Sequence, residues 1–401
     1  MSPPIRYLLT GLAVVFLIAA GSLFILKIAR RSRRGRAVRR KNRFIDMIGE
    51  LVVRGEWNAR VFKRYASDPL FRQVLLEYLR MIAGSDRDQL MEVTREIGMV
   101  AEYKADLRSG DRNERVTAAE ALAEIADPET LTDLVFSLSD SVPEVRVQAA
   151  AALAHIGDSR AVKSLLAALD QQDEMSAQRL ADALYGFGSV AVEEAARYLS
   201  SPGKFRPLVA RTLGLIGDIR AEDALIQSLD SSDQSLRIRA AAALGRAGTP
   251  RSVPYLLELL GDGQWEVRAQ AATAVGRRLD QRAVPWLKRA LSDDAWWVRH
   301  NAAASLVEIP SGPDALRLAL DHPDPYARDA AAAVLLSSGM AGEAVGDLTS
   351  DDPLVRNPAM DLVMKLVRAG KGAFFVNEGV PPELVSQLQH GGQSNLPAGR
   401  Q

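Results

Sequence analysis

An arginine in a fixed setting returns about every 30 residues through most of this chain. The segments are ERVTAAEALAEIAD around Arg115, EVRVQAAAALAHIGD around Arg146, KFRPLVARTLGLIGD around Arg206 and SLRIRAAAALGRAG around Arg237. They continue as EVRAQAATAVGRRLD around Arg268, WVRHNAAASLVEI around Arg299, YARDAAAAVLLSSG around Arg328 and LVRNPAMDLVMKL around Arg356. A ninth segment, MSAQRLADALYGFG, carries Ala177 where the others carry arginine. Self-similarity at this period marks a stack of small helical units, each burying its apolar face only against its neighbours. Such a chain offers a long surface for binding before it offers a reaction centre.

Residues 158–188 illustrate one unit. DSRAVKSLLAALD sets Ala161, Val162, Leu165, Leu166 and Leu169 on one face of a first helix. QQDEM makes the turn, and SAQRLADALYGFG forms a second helix closed by Gly186 and Gly188. Pro254 and Pro285 open the first helices of two later units, where the missing N–H is not needed. The alanine run in each second helix lets backbones approach closely. Ala177 raises the expectation of a weak point or bend in the stack.

The motif D-x-R-A-V-x-x-L-x-x-x-L-x-D followed by V-R-x-x-A-A-x-A-L-x-x-I-G-D resembles the HEAT-repeat superfamily, in its short form first associated with bilin lyases. The match is closest at 140–170, 218–248 and 250–310 and spans roughly 111–368. The resemblance implies an all-α fold, a right-handed α-solenoid of about nine helix pairs over 111–370, with residues 46–110 as a helical cap. It also implies a structural role for Arg115, Arg146, Arg206, Arg237, Arg268, Arg299, Arg328 and Arg356. An acid in the inter-helix turn meets the arginine that starts the second helix, and stacked pairs tie unit to unit. Asp140, Asp262 and Asp293 lie six residues before an arginine, and Asp111, Asp233 and Asp352 lie four before one. The planar guanidinium fork can hold a carboxylate and turn carbonyls together. A row of arginines open to an anionic ligand is the alternative.

The amino-terminal region reads differently. Tyr7 to Leu26 is 20 residues without a charge, about 30 Å as a helix, the thickness of a bilayer's hydrocarbon core. A transmembrane helix is therefore expected over 7–28, after a short extracytoplasmic segment at 1–6. A basic segment follows at 29–45, with Arg30, Arg31, Arg33, Arg34, Arg36, Arg39 and Arg40. Positive charge after the span places the repeats in the cytoplasm of a single-pass inner-membrane protein. From 371 to 401 the periodicity fades, and a largely disordered tail is expected.

The formal net charge of zero is uneven. Residues 1–45 hold 11 of the 50 Lys and Arg, which leaves 39 against 50 Asp and Glu in 46–401. An acidic body disfavours nucleic acid, whose binding needs a basic face. The absence of cysteine removes disulfides, thiolate catalysis and cysteine-held zinc. His155, His300, His322 and His390 show no metal-pair spacing, and the His-Glu dyad of the iron-binding HEAT-repeat hydroxylases is missing. No catalytic residue, cofactor site, metal site or small-molecule substrate is expected, and the chain is read as not an enzyme.

Aromatic residues mark the candidate binding surface. Trp265 and Trp296 each precede their arginine by three residues, Trp297 adjoins, and Trp286 lies between them. Tryptophans on consecutive units would form an apolar stripe for a protein partner; alternatively each covers its own turn. The expected function is a membrane-anchored scaffold or adaptor that holds a protein partner, membrane-associated itself, and organises an assembly. The alternative is an accessory subunit or lyase-like enzyme of a chromophore or envelope-polysaccharide system.

Overall fold

The computed structural model describes residue 36 and residues 38–50 and 59–389. They form an all-helical repeat structure in two compact units, one ending at Ile156 and the other beginning at Gly157. Helices of the first unit are α1 over 38–50, α2 Ala59–Lys63, α3 Pro69–Met81, α4 Ser85–Glu96, α5 Met99–Ser109, α6 Arg112–Ile125, α7 Leu131–Ser137 and α8 Pro143–Ile156. The second unit opens with α9 Arg160–Leu169, α10 Glu174–Gly186, α11 Val192–Leu199, α12 Arg206–Ile216, α13 Glu222–Ser228, α14 Gln234–Ala247 and α15 Val253–Glu258. It continues with α16 Trp265–Arg277, α17 Val284–Ala290, α18 Trp296–Glu308, α19 Gly312–Ala319, α20 Pro325–Ser337, α21 Met340–Asp347, α22 Pro353–Leu366, α23 Gly372–Asn377 and α24 Pro382–Gln389.

The expected membrane span does not stand as part of this fold. Among the described residues, no helix is long and apolar enough to cross a membrane. Residues 7–28, on which the span was expected, lie outside the described residues, as do Arg30, Arg31, Arg33 and Arg34. The single-pass inner-membrane placement drawn from that span is therefore not supported. Within the described part of the basic segment, Arg40 pairs with Asp68 and lies 5.9 Å from the Phe44 ring centroid.

Several second helices start where the sequence supplies an acceptor. Asp111, Asp233, Asp324 and Asp352, four residues before their arginines, accept hydrogen bonds from backbone N–H groups of the first turn. At Asp111 the cap is reciprocal, because Glu114 accepts from the Asp111 N–H at 2.7 Å. Asp140, Asp262 and Asp293 lie two residues further back and instead accept from the N–H two positions on, at 2.7, 2.8 and 2.8 Å. That turn leaves their carboxylates free to face the preceding repeat.

Second helices pack directly on one another, α6 on α8 in the first unit and α10 through α20 in succession in the second. Their contact faces are small. A Cβ at Gly245 would sit 2.8 Å from the Ala274 Cα, and one at Gly214 would sit 2.6 Å from the Ala243 Cα. Gly245 and Gly276 are therefore contact residues inside their helices rather than caps. The left-handed cap is made by Gly217 (φ 75°) at the end of α12.

Two boundaries differ from expectation. α5 packs against α6 as the first helix of the first pair, although its residues were assigned to the cap. The arginine motif lies only in second helices, so a boundary drawn from it falls between two members of one pair. At the other end, 372–389 holds α23 and α24 rather than a disordered tail, with Phe375, Val380, Val385 and Leu388 buried. The apolar periodicity persists there after the arginine signature has gone. Residues 390–401 lie outside the described residues.

Candidate functional site

The repeat arginines divide into two groups. Arg268 donates from Nε and Nη2 to the two Asp293 carboxylate oxygens, at 2.7 and 2.9 Å, and from Nη1 to the Asp262 carbonyl at 2.9 Å. Arg237 repeats this on Asp262, at 2.8 and 3.0 Å, and on the Ser231 carbonyl at 2.8 Å. Arg115 does so on Asp140 and the Gly110 carbonyl. The guanidinium thus closes its own turn and grips the acid 25 residues later, in the next repeat. Burial pushes the Asp262 and Asp293 carboxyls up, but the paired arginines and backbone N–H groups outweigh it and hold both below the usual carboxylate range. The acid that pairs is the next unit's, whereas the acid four residues before an arginine caps its helix.

Arg299, Arg328 and Arg356 also donate to the carbonyl six residues back, at 2.7, 2.7 and 3.1 Å. No carboxylate follows in the next repeat for Arg206, Arg299 or Arg328, because the position six before the next arginine is Ser231, His322 or Ser350. Arg206 Nε is buried without a hydrogen-bond partner, and Arg299 stacks 4.8 Å from the Tyr326 ring centroid. Arg146 donates to the Asp140 carbonyl at 3.0 Å.

Ala177 is wholly buried. Its repeat has a different tie: the Tyr198 hydroxyl and the Lys204 N–H both donate to Asp170, at 2.5 and 2.9 Å. Burial and the neighbouring Asp170 push the Tyr198 phenol well up, so it stays a donor. A Cβ at Gly203 would meet the Tyr198 ring at 2.6 Å. The gap in the arginine row is bridged rather than left open.

All four candidate tryptophans are exposed. Trp296 and Trp297 are 52% and 54% accessible, with ring centroids 4.6 Å apart at 81°. His300, one turn on, stacks on Trp296 at 4.8 Å and 10°. With Arg299, Tyr326 and Lys371, Trp296 and His300 border a hollow of about 350 Å³. Trp265 opens α16, and Trp286 on α17 lies 5.7 Å from the Arg289 guanidinium. Neither makes ring contact with the Trp296–Trp297 pair. His300 and Tyr326 were not read as site residues. The signal was present, since His300 is four residues after Trp296, and Tyr326 precedes Arg328 by the interval that separates Trp297 from Arg299.

Among the described residues, no group of three His, Asp or Glu side chains could hold a metal ion. His155 Nδ1 lies 2.8 Å from the Ala123 carbonyl, and His322 Nδ1 accepts from the Asp324 N–H at 3.1 Å.

No curated protein matches the chain significantly. Among solved structures it is similar to an engineered protein, at 22% identity over 73% of this chain and 96% of that one, TM-score 0.37. It is also similar to the karyopherin Kap121p bound to the SUMO protease Ulp1p, at 14% identity over 83% of this chain and 46% of that one, TM-score 0.48. A third is human deoxyhypusine hydroxylase in complex with glycerol, at 22% identity over 67% of this chain and 98% of that one, TM-score 0.25. The chain spans less than half the length of Kap121p. The family model for HEAT repeats matches residues 104–184, 191–266 and 256–336, more than half of the sequence, and the chain belongs to the HEAT-repeat family.

Proposed function

We propose that this chain is a protein-binding scaffold or adaptor, acting by docking a partner rather than by catalysis. Its 28- to 31-residue repeat spacing, with Ala177 counted in the arginine's place, suits the short, bilin-lyase-type form of the repeat. The observation that carries the docking reading is the Trp296–Trp297–His300 cluster at the start of α18. Two large aromatic side chains stay half in water while their own helix is anchored by the buried Val298 and Arg299. Trp buries 150–250 Å² when fully covered. Covering the exposed halves would remove on the order of 200 Å², worth about 5 kcal/mol before the costs of association.

A purely structural role for the pair, sealing the α17–α18 turn, gives the opposite experimental signature. Trp296→Ala with Trp297→Ala should abolish capture of a partner and leave thermal melting within about 2 °C of the parent, as exposed substitutions do. A large fall in melting temperature with capture retained would assign the pair to packing instead.

A further inference from the structure

A second surface in the same unit has a charge opposite to that of the chain around it. A hollow of about 540 Å³ runs across the second helices α10, α12 and α14. Phe205, Leu208 and Ile238 supply apolar lining, and Lys204, Arg211 and Arg239 supply three cations against the single acid Glu174. This reversal occurs where residues 46–401 carry 50 acids and 39 bases.

The cations are available. Lys204 and Arg239 make no ion pair among the described residues. Lys204 instead lies 4.7 Å from the Phe205 ring centroid, and Arg211 donates only to the neutral Gln178 side chain, at 3.0 Å. Other arginines of the second unit are paired with acids, such as Arg237, Arg251 and Arg268. The start of α12 adds to the positive character. Phe205 offers no side-chain cap there, whereas aspartates cap α10 and α14, so the orphan N–H groups of the first turn point their partial charge outward.

We propose that this groove binds an acidic peptide segment in extended conformation. Three packed helices at 8–10 Å spacing give a track of roughly 20 Å, which about six extended residues would span at 3.3 Å each. Acidic side chains of such a segment would reach Lys204, Arg211 and Arg239, and apolar ones would meet Phe205, Leu208 and Ile238. This surface is independent of the tryptophan cluster.

The test uses the full chain and a fluorescein-labelled octapeptide of alternating Glu and Leu, read by fluorescence anisotropy at low and moderate salt. Controls are the Gln–Leu octapeptide and a twelve-nucleotide single-stranded DNA. Binding of the Glu–Leu peptide should be at least tenfold tighter than of the Gln–Leu peptide and should weaken with salt. Lys204→Glu with Arg239→Glu, both exposed positions, should weaken it at least tenfold, keep the helical melt, and confer binding of a Lys–Leu octapeptide. Trp296→Ala with Trp297→Ala should leave it unchanged. Equal binding of the Gln–Leu peptide, indifference to the charge-reversed variant, or preference for the DNA would each overturn the proposal.

Discussion

Arg268→Met isolates the contribution of one inter-repeat clamp. The methionine keeps most of the stem that packs over the turn but deletes the fork. Two bonds to the Asp293 carboxylate are lost, together with the bond to the Asp262 carbonyl. Asp293 then retains the Ala295 N–H at 2.8 Å in a site where its side chain is only 13% accessible and that of Arg268 is 18%. Breaking a fully buried pair costs about 3–5 kcal/mol. Residual solvent lowers this to roughly 2–3 kcal/mol. Because a repeat array need not unfold as one two-state body, the right assay is hydrogen exchange resolved by segment. Amides of α16 and α18 should exchange roughly 30- to 150-fold faster, at 1.4 kcal/mol per decade, with α10 and α12 unchanged. Arg328→Met is the matched control. It loses bonds to the His322 and Pro323 carbonyls, at 2.7 and 2.9 Å, but orphans no carboxylate, so it should cost about 1 kcal/mol. Equal effects of the two substitutions would refute the clamp.

Three further outcomes follow from the same geometry. Ser231→Asp places an acid 25 residues after Arg206, whose Nε is buried without a partner; the protein should gain up to about 1 kcal/mol, seen as a raised midpoint in urea. The depressed Asp262 and Asp293 carboxyls stabilise the fold fully above the ordinary aspartate value near 3.9 and lose that contribution as pH falls through their lower folded values. Asp262→Asn with Asp293→Asn should therefore lower stability at pH 7 and flatten its dependence on pH below about 4 in acid titrations followed by circular dichroism. Gly245→Ala forces a Cβ to 2.8 Å from the Ala274 Cα and should destabilise by about 1–3 kcal/mol, whereas Gly261→Ala, with nothing within 4 Å, should be close to neutral in the same urea titration.

The fold was legible because one residue type in one setting marked every repeat except that of Ala177. The direction of the clamps was less legible. Sequence spacing paired Asp262 with Arg268 in its own unit, yet its carboxylate meets Arg237 and only its carbonyl meets Arg268. A linear reading gives intervals within a turn but not which neighbour a side chain faces across the stack. The two helices after residue 371 carry no repeat arginine; only the apolar pattern that Phe375 and Val385 continue marks them. The tryptophans were visible as a register, but their separation into one cluster and two single residues depends on rotamers that spacing does not encode. The cationic groove was hidden for the same reason, since Lys204, Arg211 and Arg239 come from two helices and the turn before one of them.

The docking reading stands or falls at position 297. A photoactivatable benzoylphenylalanine placed there, in the chain expressed in its own cells, reports whatever covers the cluster. The same probe at the highly exposed Leu354 on α22 serves as reference. The expected result is a discrete crosslinked protein at 297 that is absent at 354 and is lost when Trp296→Ala is added. No adduct at 297, or the same diffuse pattern at both positions, would contradict the assignment of this surface to a protein partner.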